Sequence, residues 1–276
     1  MITALARLFR LRLALLNGVA ALGGAMLFPL PVDSRLLWMV FIGVTLLAAG
    51  GSAINQALEH ELDRVMIRTR LRPVAQGRMK PVQAALLGLA IVLAGVALLG
   101  VAGGSRPALA GALGIFWYLA VYTPLKRRTP YALAAGAVCG ALPPVIGWGC
   151  AGGSLPDYRI MLLAGLLYLW QIPHFWLFQR RYAADYRAAG FPLLAAATRE
   201  GALPGLFGLW IAALVSATML LPAFGLIAHG TAIWYALVPL PLIAMTLLRS
   251  EKPLFSYLNL FPLLVTLAII AHKQLA

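Results

Sequence analysis

The chain has 276 residues, 62% hydrophobic and 11% charged, and its 22 Lys and Arg against 8 Asp and Glu give a net charge of +14. A soluble domain carries about a quarter charged residues, so this composition excludes one water-soluble core and points to an integral membrane protein, read as a single membrane domain over 1–276. The charge does not indicate a nucleic-acid partner, because the cations alternate with apolar segments; the partner is the lipid bilayer.

Apolar runs predict nine transmembrane helices, at roughly 9–32, 36–58, 82–103, 107–124, 130–150, 159–178, 203–223, 226–248 and 254–272. Only helices and closed barrels satisfy the backbone in lipid, and these runs exceed the roughly ten residues of a barrel strand. The expected fold is all-α, a polytopic bundle. Arg7, Arg10 and Arg12 precede the first span and read as topological charges; no cleavage site follows, so that span reads as a retained helix. Of the 22 Lys and Arg, only Arg35, Arg106, Arg159 and Lys273 fall in loops on the far side, while the rest, Arg199 among them, share the near side. The positive-inside rule places the N-terminus in the cytoplasm and the C-terminus outside. Cys139 and Cys150 lie in one apolar run without a Cys/His cluster and read as small packing residues.

The second span ends in Asn55, Glu59 and Asp63, spaced four apart on one helical face, about 6 Å per step along the axis. Carboxylates beside a bilayer are costly and mark a functional site. Oxygen ligands on one rigid face suit Mg²⁺, which binds one or two carboxylates together with substrate phosphates. Arg68 and Arg72 follow and can hold phosphate oxygens. Glu61 and His60 read as ordinary interfacial groups.

The fourth span ends at Tyr122-Thr123-Pro124, and Lys126, Arg127 and Arg128 follow. These cations either set topology or bind a diphosphate and stabilise it as a leaving group. The fifth carries Pro143 and Pro144, which should bend or break it. The sixth ends Trp170-Gln171-Ile172-Pro173-His174-Phe175-Trp176, and beyond it lie Tyr182, Asp185 and Tyr186. His174 either satisfies a neighbouring carbonyl, ligates iron or orients a substrate. Aromatics such as Phe116, Trp117, Tyr118, Tyr168 and Trp170 either pack or shield a cation with their ring faces. The charged clusters after spans two and six, four spans apart, hint at two four-helix halves plus a ninth helix. Asn259 in the last span suggests no role.

The run from Asn55 through Asp63, Arg68-Thr69 and Arg72-Pro73 resembles the first acidic motif of the UbiA superfamily of intramembrane prenyltransferases, with Glu59 where that superfamily usually has Asp. The Tyr122–Arg127 run is similar to its diphosphate-binding loop. The Trp170–Trp176 and Asp185-Tyr186-Arg187-Ala188-Ala189-Gly190 runs resemble the heme O synthase branch. Tyr182 and Tyr186 stand at the two spacings where the general superfamily has a second pair of aspartates.

The resemblance implies a bacterial inner-membrane enzyme that binds farnesyl diphosphate through Mg²⁺ at Asn55, Glu59, Asp63 and Asp185, assisted by Arg68, Arg72, Lys126 and Arg127. Tyr122, Tyr182, Tyr186, Trp170 and His174 would contact substrate. A vinyl group of heme B would attack the farnesyl carbon, water would add, and a heme A synthase or a terminal oxidase would receive the product. Within the superfamily the alternative acceptor is an aromatic quinone precursor. A transporter is the alternative of another class, but the acids and bases here gather at one face, whereas a transport path needs polar groups near the midplane.

Overall fold

The computed structural model describes residues 2–194, 205–227 and 233–275. Arg199, and the starts expected for the seventh span and part of the eighth, lie outside these residues.

The described chain is helical, with no strand. Helix α1 (Ile2–Leu8) leads into α2 (Leu11–Met26), followed by α3 (Ser34–Val65), α4 (Pro81–Gly103) and α5, which runs Ser105–Phe116, makes a π-helical turn over Trp117–Tyr122 and finishes at Thr123–Leu125. Then come α6 (Ala132–Cys150), α7 (Tyr158–Arg181), the short α8 (Ala183–Ala188), α9 (Gly205–Ala223), α10 (Leu240–Leu247) and α11 (Glu251–Leu275).

Among the described residues seven helices are long and apolar enough to cross a membrane. The expected first and eighth spans correspond to shorter apolar helices, Leu11–Met26 and Ile233–Leu247. With 16 residues α2 is about 24 Å long, short of the ~30 Å hydrocarbon core. By contrast α3 outgrows its expected end at residue 58: its 32 residues carry the helix through the whole acidic stripe.

Helices adjacent in sequence pack side by side around the molecule, α11 returns to close against α2, and α6 packs on α2 within the ring. Small residues set these approaches. On α4, Gly88, Val92, Gly95 and Leu99 are buried while Leu86, Leu93 and Val101 face outward. A Cβ at Gly50 would meet the Gly88 carbonyl at 2.5 Å, and one at Gly95 would meet the Gly43 carbonyl at 2.9 Å. Lipid tails are as apolar as leucine, so helices in lipid associate through close contacts of this kind, with large side chains turned to the tails.

The prolines of α6 do not break it: the helix continues through Pro143 and Pro144 to Cys150. It lies against α2 so closely that a Cβ at Gly24 would overlap the Pro144 backbone, and one at Gly147 the Ala21 carbonyl. The buried core falls into a cluster of α6, α7, α9, α10 and α11, a second of α2, α3, α4 and α6, and a small third of Leu8, Ala53, Ala57, Val74 and Ala84.

Candidate active site

One cavity of about 370 Å³ is lined by α2, α3, α5, α6, α7 and α11. Its charged end holds Asn55, Glu59, Asp63, Arg68, Arg72 and Lys126, and its walls include Tyr118, Tyr122, Trp170, His174, Phe178 and Tyr186. A helix repeats every 3.6 residues, so the C-terminal turns of α3 turn Asn55, Glu59 and Asp63 to this space, each no more than 5% exposed.

Every buried carboxylate in this group has partners, as burial of charge demands. Lys126 Nζ donates to Glu59 Oε2 at 2.5 Å, and Arg127 lies 3.6 Å from Glu59 Oε1. One guanidinium nitrogen of Arg72 donates to both oxygens of Asp63, at 2.8 and 2.6 Å. Asn55 Nδ2 donates to Glu59 Oε2 and to Thr123 Oγ1, both at 3.2 Å, which leaves its carbonyl oxygen without a donor. The π-helical turn serves this arrangement: Thr123 Oγ1 donates to the Tyr118 carbonyl at 2.8 Å, and the Tyr118 and Tyr122 rings stack at 6.0 Å. Single π turns recur at functional sites because they re-aim side chains without ending a helix.

Burial lowers the pKa of Lys126 from its ordinary value, and the nearby Glu59 charge acts in the opposite direction. Arg68 is also lowered by burial, with Arg72 adding to the effect, and burial raises Tyr186. The guanidinium of Arg68 sits 5.1 Å from the Phe178 ring centre and 5.5 Å from that of Tyr182. Ring faces of this kind compensate a cation for lost water.

Asp185 was expected beside the other acids as a metal ligand, and the structure assigns its oxygens elsewhere. Oδ1 accepts from the Ile67 amide at 3.0 Å and Oδ2 from the Arg68 amide at 3.1 Å. Its position in α8 points it at the loop after α3 rather than at Glu59 and Asp63. Among the described residues no three His, Cys, Asp or Glu side chains gather to hold a metal unaided. Asn55, Glu59 and Asp63 nonetheless fit Mg²⁺ that also takes phosphate ligands, since Glu59 Oε1 is buried with no hydrogen-bond partner and the Asn55 carbonyl is free.

His174 stacks between Trp170 at 5.0 Å and Phe255 at 5.5 Å, and its Nδ1 is buried without a hydrogen bond. The structure therefore does not give it the carbonyl partner that a packing histidine would have. Of the other aromatics singled out above, Phe175 lines the cavity, whereas Trp176 is buried against Phe207 and Phe116 is exposed.

Three residues escaped sequence reasoning. Arg10, read as topological only, lines the charged end of the cavity, placed there by the left-handed backbone (φ 46°) between α1 and α2. Gln171, which the sequence placed within the Trp170–Trp176 run without a role of its own, lines the wall. Asn259 lines the cavity as well, with Nδ2 held by the Phe255 carbonyl at 2.6 Å.

A helical membrane protein with paired carboxylates and cations at the mouth of an apolar cavity is built to hold a polyanionic head with a long apolar tail. The chain belongs to the UbiA prenyltransferase family, whose sequence profile matches residues 16–256. It is 56% identical to a protoheme IX farnesyltransferase of Geobacter sulfurreducens over 95% of this chain and 97% of that one. It is 41% identical to the protein of the same name from Oleidesulfovibrio alaskensis, over 83% and 80% of the two chains. A UbiA homolog from Aeropyrum pernix shares the fold with a TM-score of 0.75 at 22% identity, covering 95% of this chain and 98% of that one. Another, from Archaeoglobus fulgidus bound to GPP and Mg²⁺, does so with a TM-score of 0.70 at 13% identity, covering 98% and 99%.

Proposed function

We infer that the chain is a protoheme IX farnesyltransferase, which transfers the farnesyl group of farnesyl diphosphate to a vinyl carbon of heme B and adds water to give heme O. The observation that carries this reading is the 56% identity, nearly end to end, to a relative of that name. The geometry supports it: one continuous cavity joins the Glu59–Lys126 rim to the aromatic wall around His174.

In this reading the diphosphate lies at the rim and the farnesyl chain and porphyrin in the apolar part. Glu59, Asp63 and the Asn55 carbonyl would hold Mg²⁺, which when bound neutralises diphosphate charge. Lys126, Arg127 and Arg72 turn from their carboxylates to phosphate oxygens, and Arg68, held over the Phe178 and Tyr182 rings, joins them. Cations aimed where negative charge develops as the C–O bond breaks lower the barrier most, because they need little reorganisation. Asp185 acts through the loop, holding the Ile67 and Arg68 amides so that Arg68 faces the rim. Tyr118 and Tyr122 present ring faces toward the developing allylic cation, and the apolar wall keeps water from quenching it early. The ring of His174, fixed between Trp170 and Phe255, contacts the porphyrin.

For the membrane, all nine apolar segments span or enter the bacterial inner membrane, with α2 and the Ile233–Leu247 segment as the two short members. The acids and most cations then face the cytoplasm. The test is incubation of purified protein with heme B, farnesyl diphosphate and Mg²⁺, followed by mass spectrometry for heme O. Absence of heme O, with a prenylated hydroxybenzoate in a parallel incubation, overturns the acceptor assignment.

A further inference from the structure

The reaction inferred above needs one water, and that water must arrive late. Before farnesyl transfer it would destroy the allylic cation; after transfer it must reach the new cation on the porphyrin side chain. A water kept in an apolar cavity needs about two to four polar partners. The rim could supply them only at the diphosphate end, where water is harmful.

Away from the rim, α7 carries two polar side chains three residues apart, Gln171 and His174, which share one helical face and line the same cavity. Gln171 is 6% exposed and its side chain lines the cavity with no hydrogen bond to the described residues, and the His174 Nδ1 is buried without a partner. An unpartnered amide in a membrane interior costs free energy, so this one calls for a function. The neighbouring helix makes room for it: α6 has Gly140 where a Cβ would overlap the Gln171 amide nitrogen. His174 cannot swing away, being stacked between Trp170 and Phe255.

We propose that Gln171, with His174, holds the water that ends the reaction. The vinyl π pair forms a bond to the farnesyl carbon as the C–O bond to diphosphate breaks, and diphosphate leaves with that electron pair. The cation left on the vinyl carbon next to the porphyrin ring takes a lone pair from the held water, forming the C–OH bond. The water's proton passes to the released diphosphate, a base already in the cavity. The amide carbonyl accepts from the water and the imidazole supplies its second partner, so the water is fixed on the porphyrin side of the cavity.

This assignment rests on the farnesyl-to-heme reading, and product composition separates the two. With the water lost, the cation instead sheds a proton and gives a farnesylated heme lighter by one water. The experiment incubates wild type, Gln171→Leu, Gln171→Asn and Gly140→Ala protein with heme B, farnesyl diphosphate and Mg²⁺ in water enriched in heavy oxygen. Wild type gives labelled hydroxylated product. Gln171→Leu raises the ratio of dehydrated to hydroxylated product by about tenfold, the scale of one lost hydrogen bond. Gln171→Asn, which keeps a shorter amide, lies between. Gly140→Ala leaves Gln171 in place chemically but displaces its amide, and raises the same ratio even if Gln171→Leu fails to insert. Slower turnover with an unchanged product ratio in Gln171→Leu and Gly140→Ala overturns the assignment and leaves the function standing. Wild type that makes no farnesylated heme overturns both.

Discussion

Lys126 Nζ and Glu59 Oε2 lie 2.5 Å apart, joining the end of α5 to the acidic face of α3 across 67 positions of sequence. The pair holds the cation at the cavity mouth, where it can pass from carboxylate to phosphate. Lys126→Ala should weaken farnesyl diphosphate binding about 10- to 100-fold, the range for a hydrogen bond to a charged group, and leave heme affinity unchanged. Calorimetric titration with each substrate separately measures this. Loss of heme binding with intact donor binding would contradict the role.

The same lysine gives a pH signature. Burial disfavours its charged form, so it loses its proton below the ordinary lysine value of 10.5. Donor affinity should therefore fall as pH rises, with a midpoint below 10.5. Lys126→Arg, which keeps its proton, should move that limb to higher pH. A limb unmoved by Lys126→Arg would assign it to another group.

Removing the metal should abolish turnover, because the rim carboxylates alone repel a diphosphate. A strong chelator should stop product formation and Mg²⁺ restore it. Asp63→Asn should lower kcat about a hundredfold or more, as expected when several kcal/mol of charge stabilisation are lost. Its Arg72 partner would stay in place and keep the loop folded. Full turnover without divalent metal would remove the role given to Asp63.

Asp185 tests anchoring against ligation. Its carboxylate accepts from the Ile67 and Arg68 amides, so Asp185→Ala strands two donors at about 1–3 kcal/mol each. Hydrogen exchange at those amides should accelerate and KM for the donor should rise. Asp185→Asn, with one carbonyl oxygen left, should fall between. An altered Mg²⁺ requirement with unchanged exchange would show metal ligation instead.

Gly147 reports on the packing of α6 against α2. Its added Cβ would overlap the Ala21 carbonyl, so Gly147→Ala should cost about 1–3 kcal/mol through overpacking. Thermal unfolding in detergent should show a lower Tm. Gly165→Ala is the control, since nothing lies within 4 Å of its Cβ position.

Hydropathy and spacing carried much of this molecule. The seven long helices fall where apolar runs predict them, and Asn55, Glu59 and Asp63 share a face whatever packs against them. Hydropathy misjudged lengths: it stopped α3 at residue 58 because the stripe is polar, although buried partners keep those turns helical to Val65. It also missed Gln171, since one amide barely changes the mean of an apolar window.

By itself, then, the sequence determined the helical class, because no other lipid-compatible backbone suits runs of this length, and the acidic stripe, because the helical repeat is local. The tertiary structure decided which cation meets which acid, that Asp185 serves the loop after α3, and that Arg10, Gln171 and His174 share a cavity with the rim. Those relations join residues far apart in the chain, such as Arg68 and Asp185 at a separation of 117. They depend on how closely helices approach, and glycines such as Gly24, Gly140 and Gly147 set that distance only once the helices are packed.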